Sequence, residues 1–459
     1  MKPFYLRSAK KYTEDDGSTS TRIKSVKDTL DEVVPICKKI GVTRLSDITY
    51  LDKLYIPNYS SVLPGTDDTI WVYGGKGPTR VHAKASALME AIERYSSFYS
   101  TYANSLIQGN YSQLSRSYSK VLHPDEVVEP VIQRHDDNSI MDFILGFDIM
   151  KNEDVLVPVQ LALSRYTAEP PSVNPFPYSH TNGLASGNVL EEAIYHGLCE
   201  VIERDAVSIA DLSSSFIPYT ILQNIGNSLG GADNQGYPVI QIPEEKFVDD
   251  PNIFPDVDIS EVAKESEQID FLVKKFDNAG IPLLVKDITQ EDIGIPTFVV
   301  SSVEWITPDY GYFAKGYGAS TDARIALTRA ITEASQTRAV NIQGARDDLK
   351  KIQYRENDEI YRRKWQFMPS SLTAKFSEIK TYSNRDILDE IRVILAHLKK
   401  AGLKRVIVVN LTNPNTRIPV VRVIVPGLET FEVARLFTSN EAFMGNRAKK
   451  HFIRIYACD

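Results

Sequence analysis

The chain has 459 residues, 42% hydrophobic and 24% charged, with a formal net charge of −8. That balance excludes extended disorder and argues against a general nucleic-acid binder, which needs a basic face to meet phosphates. Cys37, Cys199 and Cys458 lie far apart with no CxxC spacing, so neither a disulfide framework nor a zinc site is expected, and the absence of a signal-peptide pattern or membrane-length apolar run predicts a cytoplasmic protein.

Residues 1–70 read as an N-terminal lobe with one helix from Ser25 to Ile40, closed by Gly41. Gly74-Gly-Lys-Gly-Pro78 then reads as a glycine turn leading into a helix that runs through Tyr99. Met141–Met150 and Val155–Leu163 read as apolar strands of a hairpin turning at Lys151–Asp154. A second Gly-led helix is expected from about Val189 to Ile209 and a third from about Thr321 to Ala339. Between them, residues 223–258 are rich in Gly, Asn, Asp and Pro and read as a surface excursion. Helices closed by Gly280 and Gly402 precede strands at 281–285 and 406–409, and further strands are expected at 297–303 and 418–425. Ile387, Ile391, Ile394 and Leu398 recur at helical spacing, which marks a core face. The fold class is α+β, with helices packed on mixed sheets.

The chain matches itself at an offset of 110 residues. Gly77, Ala83, Leu88, Glu90, Ile92, Glu93 and Arg94 correspond to Gly187, Ala193, Leu198, Glu200, Ile202, Glu203 and Arg204. A looser third copy places Ser320 thirteen residues before Glu333, with Gln336 where the others have their second glutamate. Positions i and i+3 share a helix face, so each Glu pair makes a two-carboxylate edge that either faces water or holds a cation. Oxygen-only ligands favour Mg²⁺ over zinc or copper. On the residues alone, both a solvated helix face and an acidic centre remain open. Glycine turns ahead of helices suit an anion, yet Gly75-Lys76-Gly77 lacks the Ser or Thr and the glycine spacing of a Walker loop.

At these residues the chain resembles the YcaO family. Ser86, Glu90, Glu93 and Arg94 match its Ser-x-x-x-Glu-x-x-Glu-Arg hallmark. Asn182-Gly-Leu-Ala-Ser-Gly-Asn188, Glu192 and Glu200-x-x-Glu-Arg204 are similar to its second block, and Arg329-x-x-x-Glu333-x-x-Gln336-x-Arg338 to its third. Val420–Glu429 is similar to its late strand and turn. The resemblance implies a catalytic domain over 71–435 that binds ATP and Mg²⁺ without a P-loop. Glu90, Glu93, Glu200, Glu203 and Glu333 would be metal ligands. Ser86, Asn188, Glu192, Arg204, Arg329, Gln336 and Arg338 would contact the nucleotide, and Glu203, Arg204 and Arg329 would form the catalytic set. The family pattern requires neither His82 nor His196, which read as structural residues, and the apolar neighbours of Cys199 mark it as an inert buried thiol.

An amide oxygen is a poor leaving group, and the family chemistry converts it to phosphate with ATP. An adjacent Cys, Ser or Thr side chain then gives an azoline, an amine gives an amidine, and sulfide gives a thioamide. Azoline enzymes tend to end in a PxPxP tail, whereas residues 436–459 carry none. The chain is most similar to standalone archaeal members associated with thioamidation of a glycine in methyl-coenzyme M reductase. Thioamide formation is therefore expected, with a TfuA-like sulfur-delivery partner and a homodimeric state. An azoline-forming cyclodehydratase is the alternative, and a non-catalytic ATP-binding accessory protein is the alternative of another class.

Overall fold

The computed structural model describes residues 5–13, 20–65, 70–118, 120–127, 136–164, 166, 180–214, 252–307, 310–344, 354–356, 364–429, 446–448 and 450–451. Its helices are α1 (Val26–Ile40), α2 (Arg80–Ser96), α3 (Tyr111–Ser117), α4 (Val159–Ala162), α5 (Leu190–Ser214), α6 (Ser260–Glu265), α7 (Glu267–Ala279), α8 (Ala323–Gln343), α9 (Lys364–Phe367) and α10 (Ile387–Lys400). α1 starts where the Ser25 side chain accepts the Asp28 N–H, and it stops where Gly41 takes φ 101° and its N–H meets the Cys37 and Lys38 carbonyls. Gly280 closes α7 in the same left-handed conformation.

Three sheets carry these helices. The first is the antiparallel set β1 (Arg44–Asp47), β2 (Asn58–Pro64) and β3 (Ile70–Lys76). β2 pairs with β3 across residue 70, so the expected lobe boundary falls inside a hairpin and the residues on either side of it share one sheet.

The second sheet contains β4 (Ile107–Gly109), β5 (Met141–Asp148), β6 (Glu153–Pro158), β7 (Leu184–Ser186), β14 (Ile407–Asn410) and β15 (Val420–Ile424). The hairpin expected at Lys151–Asp154 joins β5 to β6, with Asn152 at φ 57°. Side chains alternate across this sheet with the strand period of two. Val408, Val421 and Val423 face a core shared with α5 and α10, including Ile387, Ile391, Ile394 and Leu398. Ile407, Val409 and Val420 face the opposite core, shared with α1 and α2.

The third sheet runs β12 (Tyr354–Glu356), β11 (Tyr310–Ala319), β10 (Thr297–Trp305), β9 (Leu284–Asp287), β8 (Asp256–Asp258), β13 (Thr373–Lys375). Its β8 corrects part of the expected surface excursion: Val257 is buried, and Asp256 pairs with Lys286. Residues 223–251 of that segment lie outside the described residues. Of the C-terminal tail, Arg447 hydrogen-bonds to Asp205 on α5 and to Asp292, and the Ala448 N–H donates to Glu429.

β11 is the principal element that sequence reading left out, because Gly311, Gly316 and Gly318 dilute its strand signal. The last two glycines are there for packing. A Cβ on Gly318 would lie 2.1 Å from the Ala326 carbonyl oxygen, and one on Gly316 would lie 2.2 Å from the Ala334 N. Gly75 does the same for α2, where a Cβ would lie 2.2 Å from both Ala83 O and Ala87 N. The expected glycine turn at 74–78 is corrected accordingly: Gly74 and Gly75 belong to β3, and only Gly77 and Pro78 lie beyond the strand. Gly75→Ala is expected to push β3 off α2 and cost about 3 kcal/mol, the upper range for overpacking. Denaturant unfolding measures this, and an unchanged midpoint would contradict the close-approach account.

Candidate active site

The same strand-turn-helix plan occurs three times. β3 leads into α2 through residues 77–79, β7 into α5 through 187–189, and β11 into α8 through 320–322. Thr79 caps α2 by accepting the His82 N–H, and Asp322 caps α8 by accepting the Arg324 N–H at 2.9 Å. β3 is held between two of these helices: Gly75 faces α2, while Gly74 and Lys76 face Gln336 and Glu333 on α8. α5 reaches β11, where Oε2 of Glu203 accepts the Ala319 N–H at 3.2 Å. The Tyr195 hydroxyl ties α5 to the third turn at Ser320 (2.8 Å) and Thr321 (2.9 Å).

These contacts bring the glutamates of the three helices into one electrostatic neighbourhood. Burial pushes the Glu93 carboxyl up to about 8, opposed by Arg94 and reinforced by Glu200 and Glu90. Burial pushes Glu203 up to about 7, with Glu333 adding and Arg204 and Arg329 opposing. Glu333 goes the other way: its burial is outweighed by Lys76 and then Arg204, so it stays below the ordinary value. Desolvation of Arg204 is outweighed by Glu203, Glu200 and Glu333, and that of Arg329 by Glu203, so both guanidiniums are held charged. Arg94 lies 3.4 Å from Glu90 and 3.7 Å from Glu93, and Ser186 Oγ donates to Glu93 at 3.4 Å.

Asn188 and Glu192 stand together at the start of α5. The Asn188 amide donates to Glu192 at 3.0 and 3.2 Å, and the N-terminal segment closes over them. Arg22 donates to Glu192 at 2.7 Å, the Ile23 N–H to its other oxygen at 3.4 Å, and Thr29 to Asn188 at 3.1 Å. Arg22 and Thr29 escaped sequence reasoning because their partners lie 170 and 159 positions away. Lys76 escaped it too, although its place beside Gly77 was a usable signal.

Arg338 is placed differently from the expectation of a nucleotide contact. It is buried, forms a two-bond pair with Asp52 at 2.9 Å, bonds to Glu304 at 2.6 Å and lies over the Tyr312 ring. A guanidinium engaged in this way fastens α8 to the 3₁₀ turn before Asp52 and to β10. Arg338→Met is expected to cost about 3 kcal/mol of stability by stranding buried Asp52. It should move the unfolding midpoint more than the affinity for nucleotide; the reverse order would return Arg338 to the binding site. Ser86 and Gln336 are half-buried on α2 and α8. His196 is buried against Thr21 Oγ1 at 3.3 Å and held well below its ordinary value by burial, then Arg22. Burial pushes the Cys199 thiol up to about 12, which makes it inert as a nucleophile.

The donor set fits a hard cation bound together with phosphate. Among the described residues no three acidic, imidazole or thiol side chains are grouped so as to hold an ion by themselves. Mg²⁺ does not require that, since it takes one or two carboxylates and completes its shell with phosphate oxygens and water. Glu93 and Glu203, raised by burial and by neighbouring carboxylates, are groups that a cation would return to the ionised form. Among the described residues no helix is long and apolar enough to cross a membrane.

Mixed sheets bearing three glutamate helices of one strand-turn-helix plan define an α+β protein with an acidic centre served by buried arginines. The chain belongs to the YcaO family: the family model described as YcaO cyclodehydratase, ATP- and Mg²⁺-binding, matches residues 74–239 and 248–429. An uncharacterized protein of Methanothermobacter thermautotrophicus is 32% identical over 400 residues, spanning 86% of this chain and 91% of that one. An uncharacterized protein in the tfuA 3′ region of Rhizobium leguminosarum bv. trifolii is 28% identical over 409 residues, spanning 87% of each. Among solved structures, a heterocyclase in complex with substrate and cofactor superposes with a TM-score of 0.71 at 21% identity. It covers 93% of this chain, which spans 54% of that one. YcaO from Methanopyrus kandleri, bound with AMPPCP and Mg²⁺, gives 0.63 at 21% identity, covering 93% of this chain and 95% of that one.

Proposed function

We propose that this enzyme activates a backbone amide of a peptide or protein and that sulfide is the nucleophile, so that the product is a peptidyl thioamide. The observation that carries amide activation is the mutual charge interaction of Glu93, Glu200, Glu203 and Glu333 with Arg204 and Arg329, in which Glu333 meets Lys76 of β3 and Glu203 meets Ala319 of β11. ATP supplies the phosphoryl group that turns the amide oxygen into a leaving group. Glu90, Glu93, Glu200, Glu203 and Glu333 would be shared among more than one Mg²⁺ ion, each taking one or two carboxylates. Arg204 and Arg329, kept charged in a desolvated place, would stabilise charge on the transferred group. Asn188, Glu192, Ser86 and Gln336 would orient the nucleotide.

In balanced form, hydrosulfide adds to the carbonyl carbon and the carbonyl oxygen takes the γ-phosphoryl group, leaving ADP. Phosphate then departs with that oxygen, a proton is lost, and the carbon keeps sulfur in a C=S bond. The relative in the tfuA 3′ region supports the sulfur branch and a TfuA-like delivery partner. A glycine of the methyl-coenzyme M reductase alpha subunit as the target, and a homodimeric enzyme, follow from the resemblance to the standalone archaeal members, and the 32% identical relative of this chain is itself archaeal. The cyclodehydratase description of the family favours azoline formation as the second reading.

Mass spectrometry of a candidate peptide incubated with enzyme, ATP, Mg²⁺ and sulfide tests this. Replacement of one oxygen by sulfur is expected; loss of one water would indicate ring formation. ATP binding without turnover on any peptide would favour an accessory role.

A further inference from the structure

Lys76 ends β3, and its ammonium is hydrogen-bonded to Oε2 of Glu333 on α8. The other oxygen of Glu333 accepts the Tyr317 N–H at 3.3 Å. Both oxygens of this carboxylate are therefore engaged by donors in the nucleotide-free protein. The pair keeps some contact with solvent, at 22% and 25% side-chain exposure, whereas Glu203 nearby is buried. The strand beneath Lys76 is fixed. A Cβ on Gly74 would lie 2.5 Å from Gln336 Nε2, and Gly75 is pressed against Ala83 and Ala87. The lysine stem, in contrast, is long and flexible, so its head can change partner while β3 stays in place.

We propose that Lys76 is the resident counter-cation of the site. It holds Glu333 in the nucleotide-free protein, and when Mg²⁺ and the triphosphate enter, it gives up Glu333 to the metal and turns its ammonium to the phosphate oxygens. This rests on the Mg-ATP reading of the site. Two cations compete for one carboxylate, and the arriving phosphate is an anion within reach of the displaced head. One residue thus opposes the metal alone and favours the metal with its nucleotide, a coupling that disfavours loading the site with bare Mg²⁺.

The test is a change of opposite sign in two affinities. Lys76→Met should bind Mn²⁺ alone about tenfold more tightly, followed by electron paramagnetic resonance, because the competing cation is gone. The same variant should bind AMPPCP with Mg²⁺ about tenfold more weakly by calorimetry, the order expected for one lost charge-assisted hydrogen bond. In a Glu333→Gln background, Lys76→Met should no longer raise Mn²⁺ affinity. A variant in which both affinities fall together, or neither moves, overturns the role given to Lys76 while leaving the site reading in place. A wild-type protein that shows no Mg-dependent AMPPCP binding overturns the site reading itself, and this inference with it.

Discussion

Glu203→Gln is expected to reduce ATP turnover on the order of a thousandfold, the scale of losing a metal ligand or a transition-state electrostatic contact, and to leave the fold intact. The reason lies in what Glu203 does in each role. As a structural group it accepts one hydrogen bond from the Ala319 N–H, and a glutamine oxygen can accept the same bond. As a charged group it sits buried beside Glu333, so an amide at 203 also relieves a like-charge contact. The negative charge serves the proposed metal ligation and the pairing with Arg204 and Arg329, and Glu333 still faces both guanidiniums when the charge at 203 is removed. The check is ATP hydrolysis in the presence of the peptide substrate, with near-ultraviolet circular dichroism to establish the folded state. A folded variant with turnover close to wild type would remove Glu203 from the metal set.

Between pH 6.5 and 8 the nucleotide-free protein is expected to lose about 2 kcal/mol of stability, after allowance for partial solvent contact of Glu93. A carboxyl raised from 4.5 to about 8 at Glu93, or to about 7 at Glu203, keeps its proton in the folded chain while the unfolded chain has released it. The folded state then binds more protons, so stability is greatest below the unfolded value and falls as pH rises through the folded one. Neutral buried His196 acts in the opposite direction, but only below its ordinary value of 6.5, which is why the decline emerges above that pH. Bound Mg²⁺ with AMPPCP should flatten this limb, because a cation stabilises the ionised carboxylates, and Glu93→Gln should flatten it without ligand. Denaturant unfolding at the two pH values measures the change. Equal or greater stability at pH 8 in the wild type would show that these carboxyls ionise without cost.

Local signals carried much of the reading. α1, α7 and α10 were legible from helical patterns closed by Gly41, Gly280 and Gly402, and α2, α5 and α8 from helical patterns led by a glycine turn or its equivalent, because a helix satisfies its own backbone within the segment. Glu333 was legible from its spacing after Ser320, since a repeated strand-turn-helix unit preserves the distance from turn to side chain. β11 was not, because its glycines are demanded by α8 packed against it and not by any preference of the strand. Arg338 shows the same difficulty at a single residue. Its motif position suggested a ligand, while in the folded chain its guanidinium is held by Asp52 and Glu304, far away in sequence.

By itself the sequence determined the family, the α+β class, the three glutamate helices and the absence of a Walker loop, all of which follow from residue type at fixed local spacing. Only the tertiary structure decided which carboxylates carry a raised proton affinity, that Lys76 rests on Glu333 across 257 positions, and that the N-terminal segment closes on Glu192. The physical reason is that burial and Coulomb interactions depend on distance in space, and that distance is set when β3 is clamped between α2 and α8.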